Sequence, residues 1–223
     1  MKNGQGRVAE IFLDSRMRLV CPPELIPAPG QYLLAHASGT DAPLADSVFF
    51  SDSAAEGFLA APGLPRSWLP GTQLRLRGPL GHGFRLPAAA RKIALVAFDD
   101  SPERLRGLIS PAFQQDAEVV LVCDASIHNL PEAVEVQPLQ ALAEICQWAD
   151  FAAFDAAREN LSRLIAMTKS ANLRGQVLAR APMPCGALAE CGVCSLLLRS
   201  EWKQICRDGP VFELSDLRDS FAN

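Results

Sequence analysis

Short apolar segments separated by turns dominate the first third of the chain. Between residues 7 and 86, each apolar segment is followed by a turn that contains Pro or Gly. This alternation is typical of the strands of a small antiparallel β-barrel. The predicted barrel strands lie at residues 31–34, 47–50, 57–60 and 73–76.

The middle of the chain alternates longer apolar runs with helical patterns. Ser101 and Pro102 suit the N-cap and first position of a helix that directly follows an apolar strand. Strands that alternate with helices predict a parallel sheet. We expect strands at residues 92–98 and 117–124, helices at 101–113 and 156–169, and a further strand from Val177.

Composition and charge exclude several classes of protein. The 223 residues correspond to one or two domains. Apolar residues make up 49%, and the net charge is −4, so neither a disordered chain nor a phosphate-driven nucleic-acid binder is expected. The apolar runs are far shorter than the roughly 20 residues of a membrane-spanning helix. The polar N-terminus lacks the apolar core of a secretory signal, which favours a cytoplasmic location.

Four of the seven cysteines crowd into 22 residues near the C-terminus. Cys185, Cys191, Cys194 and Cys206 are spaced C-x5-C-x2-C-x11-C. A reducing compartment disfavours structural disulfides, so this clustering indicates metal coordination. The other cysteines stand in apolar surroundings and are expected to be buried free thiols; they are Cys21, Cys123 and Cys146.

The spacing favours iron-sulfur over zinc. Structural zinc sites usually pair two C-x2-C units, whereas here three cysteines share one loop and the fourth comes later. Plant-type 2Fe-2S ferredoxins have a similar loop, with a first gap of four residues rather than five. Gly186 and Gly192 would let the backbone approach a cluster closely. Zinc and unligated thiols remain the alternatives.

Two motifs carry a resemblance to a known family. Residues 183–194 (MPCGALAECGVC) and 206–212 (CRDGPVF) resemble the cluster-binding end of the electron-transfer subunit of NAD-linked dihydroorotate dehydrogenases. Residues 78–84 (GPLGHGF) are similar to the motif that ends the flavin-binding barrel of that family.

The resemblance implies a ferredoxin reductase-like, two-lobed architecture of β-barrel plus α/β class. Residues 1–88 would form a flavin-domain-like barrel, 89–176 a nucleotide-domain-like α/β sheet, and 177–223 a small 2Fe-2S domain. The four clustered cysteines would hold the 2Fe-2S cluster. FAD is a candidate second cofactor, whose phosphates would contact Gly78, Pro79, Leu80, Gly81, His82 and Gly83.

Two departures from the family pattern change the expected chemistry. The Arg-x-x-Ser strand that supports the flavin is replaced by residues 43–50, which contain Asp46 and no arginine. The turn after the first α/β strand, residues 98–103, has no glycine to admit a dinucleotide phosphate. Its side chains Asp99, Asp100 and Glu103 would repel a pyrophosphate, and residues 154–156 replace the loop beside the nicotinamide. We therefore expect no binding of NAD(P).

These features predict an iron-sulfur subunit that relays single electrons within a larger oxidoreductase complex, with no catalytic residue of its own. Its partners would be the other subunits of the complex, and Arg199, Trp202 and Lys203 are the candidate contact residues. One alternative is an assembly subunit whose cluster is mainly structural. Another is a self-standing FAD-dependent NAD(P)H reductase.

Overall fold

The first lobe is a closed barrel of six antiparallel strands. The structure is a computed structural model that describes residues 2–99, 101–169 and 171–221. The strand order is β1-β2-β5-β4-β3-β6, and β6 pairs with β1 to close the barrel. The strands are β1 (Lys2–Ile11), β2 (Met17–Val20), β3 (Tyr32–Ala37), β4 (Asp46–Ser53), β5 (Phe58–Ala60) and β6 (Gln73–Leu80). The predicted barrel is confirmed.

Alternation along β6 decides which of its side chains leave the barrel. Leu74 and Leu76 are buried in the barrel interior together with Val8, which is fully buried on β1. Successive side chains of a strand point to opposite faces. Arg75 and Arg77 therefore project outward from the same strand.

The second lobe is a six-stranded sheet in the order β14-β11-β10-β7-β8-β9. All neighbouring strands are parallel except β14, which runs antiparallel to β11. Helices cover its faces, and the central strands are accordingly buried along nearly their whole length. The elements are β7 (Lys92–Ala97), α1 (Ile109–Gln114), β8 (Glu118–Val122), β9 (Val134–Gln137), α2 (Leu142–Trp148), β10 (Phe151–Ala157), α3 (Leu161–Thr168), β11 (Arg174–Arg180), β14 (Val211–Glu213) and α5 (Leu214–Phe221).

The two predicted helices are shorter and more broken than expected. The segment predicted as a helix over 101–113 forms two 3-10 turns, Pro102–Arg104 and Arg106–Leu108, before α1 begins. Ser101 is the N-cap, as predicted, and accepts a hydrogen bond from the Glu103 amide. The second helix begins late because Ala156 and Ala157 still pair with β11 as part of β10.

The C-terminal segment is built onto the edge of the sheet. A hairpin of β12 (Ser195–Leu198) and β13 (Glu201–Gln204) leads into α4 (Ile205–Asp208), and β14 then pairs with β11. Strand β11 straddles the boundary predicted between residues 176 and 177. The division into 1–88, 89–176 and 177–223 stays a prediction.

Candidate functional site

The four clustered cysteines lie in two pairs. The Sγ atoms of Cys185 and Cys191 are 3.4 Å apart. Cys194 and Cys206 are each 1% exposed, and their thiols share a hydrogen bond. Within the part of the chain that the structure describes, no three potential ligands are already gathered at a single metal position. The cluster site and the C-terminal 2Fe-2S domain therefore stay predictions.

The two cysteine pairs meet at one backbone amide. The Ala187 backbone forms hydrogen bonds with the thiols of both Cys185 and Cys206. Gly186 and Ala187 have positive φ angles of 47° and 67°, so two consecutive residues adopt the left-handed region. The Gly186 amide donates to the carbonyl oxygen of Met183 and the Leu188 amide to that of Cys185, so in this turn the Ala187 amide is the one directed at the thiols.

The electrostatic surroundings differ between the pairs. Burial would raise the pKa of Cys185, but hydrogen bonds with the Ala189 backbone, the Cys191 thiol and the Ala187 backbone lower it to about 7. Burial and the hydrogen bond of the Cys206 thiol to Cys194 raise the pKa of Cys206 to about 12. Cys185 is thus close to the surface and favours the thiolate, whereas the second pair lies in the core.

Three side chains from both lobes hold the cysteine segment in place. The hydroxyl of Tyr32, on β3, donates to the carbonyl oxygen of Cys206 over 2.9 Å. Nη2 of Arg77, on β6, donates to the carbonyl oxygens of Cys185, over 3.3 Å, and of Gly186. Nη1 of Arg158, just after β10, donates to the carbonyl oxygens on either side of Cys194, at 2.7 Å for Val193 and 3.3 Å for Ser195.

Sequence reasoning missed these three residues. Tyr32 is 174 positions from the residue it holds, and Arg77 is 108 positions from Cys185. Their partners are backbone carbonyl oxygens. Every residue has one, so no pattern of residue types in the sequence marks these contacts. The available signal was the outward position of Arg77 on β6, because a long cation next to a predicted cluster segment is a candidate contact.

The glycine motif lies against the segment that follows Cys206. The amide of His82 donates to the carbonyl oxygen of Gly209 over 2.6 Å, and its Nδ1 lies 3.1 Å from the carbonyl oxygen of Asp208. A Cβ at Gly81 would lie 2.5 Å from that same Gly209 oxygen. The amide of Phe84 likewise donates to Pro29. Two amides in this region are thus used within the chain, and the flavin contacts of residues 78–83 stay a prediction.

A cleft of about 270 Å³ separates the barrel from the carboxyl edge of the sheet. Ser47 and Phe49 of β4 face it, whereas Asp46, on the strand that replaces the family's arginine-bearing strand, is not among its lining residues. The cleft is lined by Ser47, Phe49, Ala61, Pro62, Gly63, Arg104, Ala157, Glu159, Arg180, Ala181 and Pro182.

An ion-pair network occupies the sheet side of the cleft. Asp155, at the end of β10, is 1% exposed and pairs with Arg104 at 3.2 Å and with Arg180 at 2.6 Å. Arg180 also pairs with Asp99, which accepts hydrogen bonds from the Ala157 amide and the Asn160 side chain. Ligands of parallel sheets bind at this edge. In this protein, ion-paired side chains occupy the carboxyl edge of the sheet.

The network corrects the expected electrostatics of the turn after β7. Glu103 is 5% exposed and faces the barrel, where it pairs with Arg16 and Arg106, each at 3.4 Å. Asp99 is paired with Arg180. The expected repulsion of a pyrophosphate by these two carboxylates is therefore wrong, because arginines neutralise both. Asp100 lies outside the described residues.

The surface predicted to contact partners is mixed in character. Trp202 is 71% exposed and lies opposite Leu197, which is 45% exposed, across the β12–β13 hairpin. Arg199 pairs with Asp216 at 2.6 Å, and Lys203 pairs with Glu201 at the same distance. The apolar pair is thus the available part of this surface.

No protein-family model matches the sequence, and no curated protein matches it. The structure is similar to that of an NADH-dependent reduced ferredoxin-NADP oxidoreductase studied for flavin-based electron bifurcation, with a TM-score of 0.72 and 15% identity over 98% of this chain and 91% of that one. It is similar to a ferredoxin reductase in carbazole 1,9a-dioxygenase, with a TM-score of 0.60 and 14% identity over 77% of this chain and 66% of that one.

A third similar structure is a ferredoxin NADP⁺ reductase from Neisseria gonorrhoeae with bound FAD and NADP. Its TM-score is 0.52, with 8% identity over 77% of this chain and 92% of that one. These similarities establish a ferredoxin reductase-like fold for the chain. They confirm the predicted combination of β-barrel and α/β sheet.

Among the helices in residues 2–99, 101–169 and 171–221, none combines the length and the apolar character needed to cross a membrane.

Proposed function

We propose that this chain is an electron-transfer subunit whose Cys185, Cys191, Cys194 and Cys206 hold one 2Fe-2S cluster. The observation that carries the proposal is the arrangement of the four thiols as two pairs, with the Ala187 backbone hydrogen-bonded to one thiol of each pair. Each iron of such a cluster takes two cysteine ligands, so two neighbouring pairs suit a binuclear cluster. A structural zinc ion needs all four ligands around one point.

The surroundings of the thiols fit a group of negative charge. Nη1 of Arg77 is buried and has no hydrogen-bond partner among the described residues. The Nη2 atom of the same side chain contacts the carbonyls of Cys185 and Gly186. A cluster ligated by four thiolates would place negative charge beside this cation. When bound, the cluster would accept and release one electron at a time.

The exposure of the first pair supports a relay to another protein. Cys191 is exposed and Cys185 is half-buried, whereas Cys194 and Cys206 lie in the core. One edge of the cluster would therefore approach the surface, where electrons exchange with a partner. Other subunits of an oxidoreductase complex are the proposed partners, and the exposed Trp202 and Leu197 are the proposed contact residues.

The fold alone permits a nicotinamide dinucleotide, since two of the similar structures are described as NADH-dependent and as NADP-bound. For this chain we propose that none binds. Residues 98–103 contain no glycine, and Asp155, Arg104 and Arg180 fill the carboxyl edge of the sheet with ion pairs. Electrons would therefore arrive from a partner.

Anaerobic purification of the full chain tests the cluster directly. We expect brown protein with about two irons and two labile sulfides per chain, and a reversible one-electron reduction in a redox titration. Cys206→Ser should lose the cluster or hold it weakly, whereas Cys146→Ser should retain it, because Cys146 is buried outside the clustered segment.

Two other results would contradict the proposal. Stoichiometric zinc without sulfide would replace the cluster with a structural metal site. A cluster that loads fully but is not reduced reversibly would favour the assembly subunit over the relay.

A further inference from the structure

Arg77 is the cation that the barrel presents to the cysteine segment. Leu74 and Leu76 point into the barrel, so Arg77 leaves it on the opposite face of β6 and reaches Cys185 and Gly186. A Cβ at Gly186 would lie 2.7 Å from Nη2 of Arg77, so the loop and the guanidinium are in direct contact.

The two terminal nitrogens of Arg77 have different surroundings. Nη2 donates to two carbonyl oxygens of the loop, which fixes the position of the guanidinium. Nη1 is fully buried and has no partner among the described residues. Leaving a charged donor buried without a partner costs free energy, so Nη1 is available to an acceptor bound at the cysteines. The proposed acceptor is a cluster on the cysteine segment whose backbone carbonyls Nη2 contacts.

We propose that Arg77 raises the reduction potential of the cluster by holding a fixed positive charge and a hydrogen-bond donor beside the Cys185 end. This inference rests on the proposed 2Fe-2S function. Reduction adds one negative charge to the cluster, and a cation in a poorly solvated position stabilises the reduced form more than the oxidised form. Net charge, hydrogen bonds to sulfur and solvent exposure are the factors by which proteins set such potentials.

Two other arginines provide matched controls. Arg75 projects from the same face of β6, but it is exposed and contacts His36 instead of the loop. Arg158 holds the carbonyls around Cys194 in the same manner as Arg77 holds those around Cys185. Arg75→Gln therefore removes a nearby surface charge, and Arg158→Gln removes a loop contact.

The test is a redox titration of the full chain, after iron and labile sulfide have been measured for each variant. We expect Arg77→Gln to make one-electron reduction about tenfold less favourable, a shift of about 59 mV to more negative potential. Arg77→Lys keeps the charge and should stay close to the unmodified protein. Arg75→Gln should shift the potential little, because solvent and salt screen an exposed charge.

Each outcome decides the role of Arg77. If Arg77→Gln loads only part of the protein, the potential is read from the loaded fraction. An unchanged potential in Arg77→Gln, or a shift no larger than that of Arg75→Gln or Arg158→Gln, would overturn the inference.

If Arg77→Gln binds no cluster, Arg77→Lys decides the question. A loaded Lys variant with an unchanged potential supports the role of the charge, and an empty one shows that Arg77 only supports the loop. Absence of iron and sulfide from the unmodified protein would instead refute the proposed function itself, and this inference with it.

Discussion

Gly186 is the residue at which the cysteine loop comes closest to the barrel. Its φ angle is +47°, and a Cβ there would lie 2.0 Å from Cδ1 of Leu34 and 2.7 Å from Arg77. The sequence predicted a close approach of this glycine to a cluster. The structure shows a close approach to the barrel, so Gly186 determines how tightly the loop packs against the first lobe.

Replacement of Gly186 by alanine tests this packing. We expect Gly186→Ala to destabilise the fold by about 1–3 kcal/mol, through overpacking against Leu34 and strain at a positive φ. The change should also lower the iron content, because Cys185 would be displaced. Denaturant unfolding and iron analysis measure the two effects.

Gly192→Ala is the matched control for Gly186→Ala. Gly192 also has a positive φ, of 72°, but its nearest neighbour would be Ser195 Oγ at 3.9 Å. Only the backbone strain applies there, so its effect should be the smaller one. Equal losses in both variants would show that contact with Leu34 is unimportant.

At the scale of elements, the carboxyl ends of β7, β10 and β11 determine what the sheet can bind. Asp155 on β10 pairs with Arg180 on β11 and with Arg104 from the turn after β7. The strand register brings these residues together, since Asp155 pairs with Ala97 on β7 and Leu178 on β11. Ion pairs therefore occupy the carboxyl edge of the sheet, which is the edge where parallel sheets bind nucleotides.

Asp155→Asn should weaken the sheet edge strongly. Asp155 is 1% exposed, and removing one member of a buried charge pair costs about 3–5 kcal/mol, because the partner charges remain in place. Chemical denaturation of the full chain measures the loss. Asp150→Asn is the control, since Asp150 accepts only from backbone amides at the other end of the sheet, at the surface. Similar losses in both variants would contradict a special role of the network.

The same edge gives a prediction about dinucleotides. NADH and NADPH should show no saturable binding tighter than about 0.1 mM in calorimetry, because that affinity requires about 5.5 kcal/mol from contacts that the glycine-free turn does not offer. Titration of the isolated chain, with the cluster loaded, is the measurement. Tighter binding, or reduction of the cluster by either nucleotide alone, would restore the interpretation as a self-standing reductase.

At the scale of the whole molecule, the cysteine segment belongs to one continuous core with both lobes. That core includes Tyr32 and Leu34 from the barrel, Phe154 from the sheet, and Cys194 and Cys206. Tyr32 and Arg77 hold the segment from one lobe and Arg158 holds it from the other. A change in the packing of the two lobes would therefore move the cysteine segment.

A flavin found in the native complex could belong to this chain or to a partner subunit. The cleft between the lobes is only about 270 Å³ and is partly filled by the ion pairs of Arg104 and Arg180. Chromatography of extracts from the native complex and from the isolated chain tests the FAD that the sequence suggests, and flavin found in the complex but absent from the isolated chain would assign it to a partner. FAD bound stoichiometrically by the isolated chain would assign the flavin site to this protein.

The hydrophobic pattern and the residue types determined the main features by themselves. Alternation predicted the barrel, and apolar runs followed by helical patterns predicted the parallel sheet, because both depend on local periodicity. The spacing of Cys185, Cys191, Cys194 and Cys206 identified the candidate site, because the ability of a side chain to bind a metal depends on its residue type, which the sequence gives directly. The N-cap at Ser101 was likewise a local property.

Only the tertiary structure decided which side chains serve that site and which charges are paired. Arg77 and Tyr32 act on backbone carbonyls more than 100 residues away, and Glu103 and Asp99 find arginines from other elements. Such contacts depend on strand register and on the packing of two lobes, which no local pattern encodes. For this reason the sequence could single out the four cysteines as candidate ligands by their spacing, but it predicted repulsive charges where the folded protein has ion pairs.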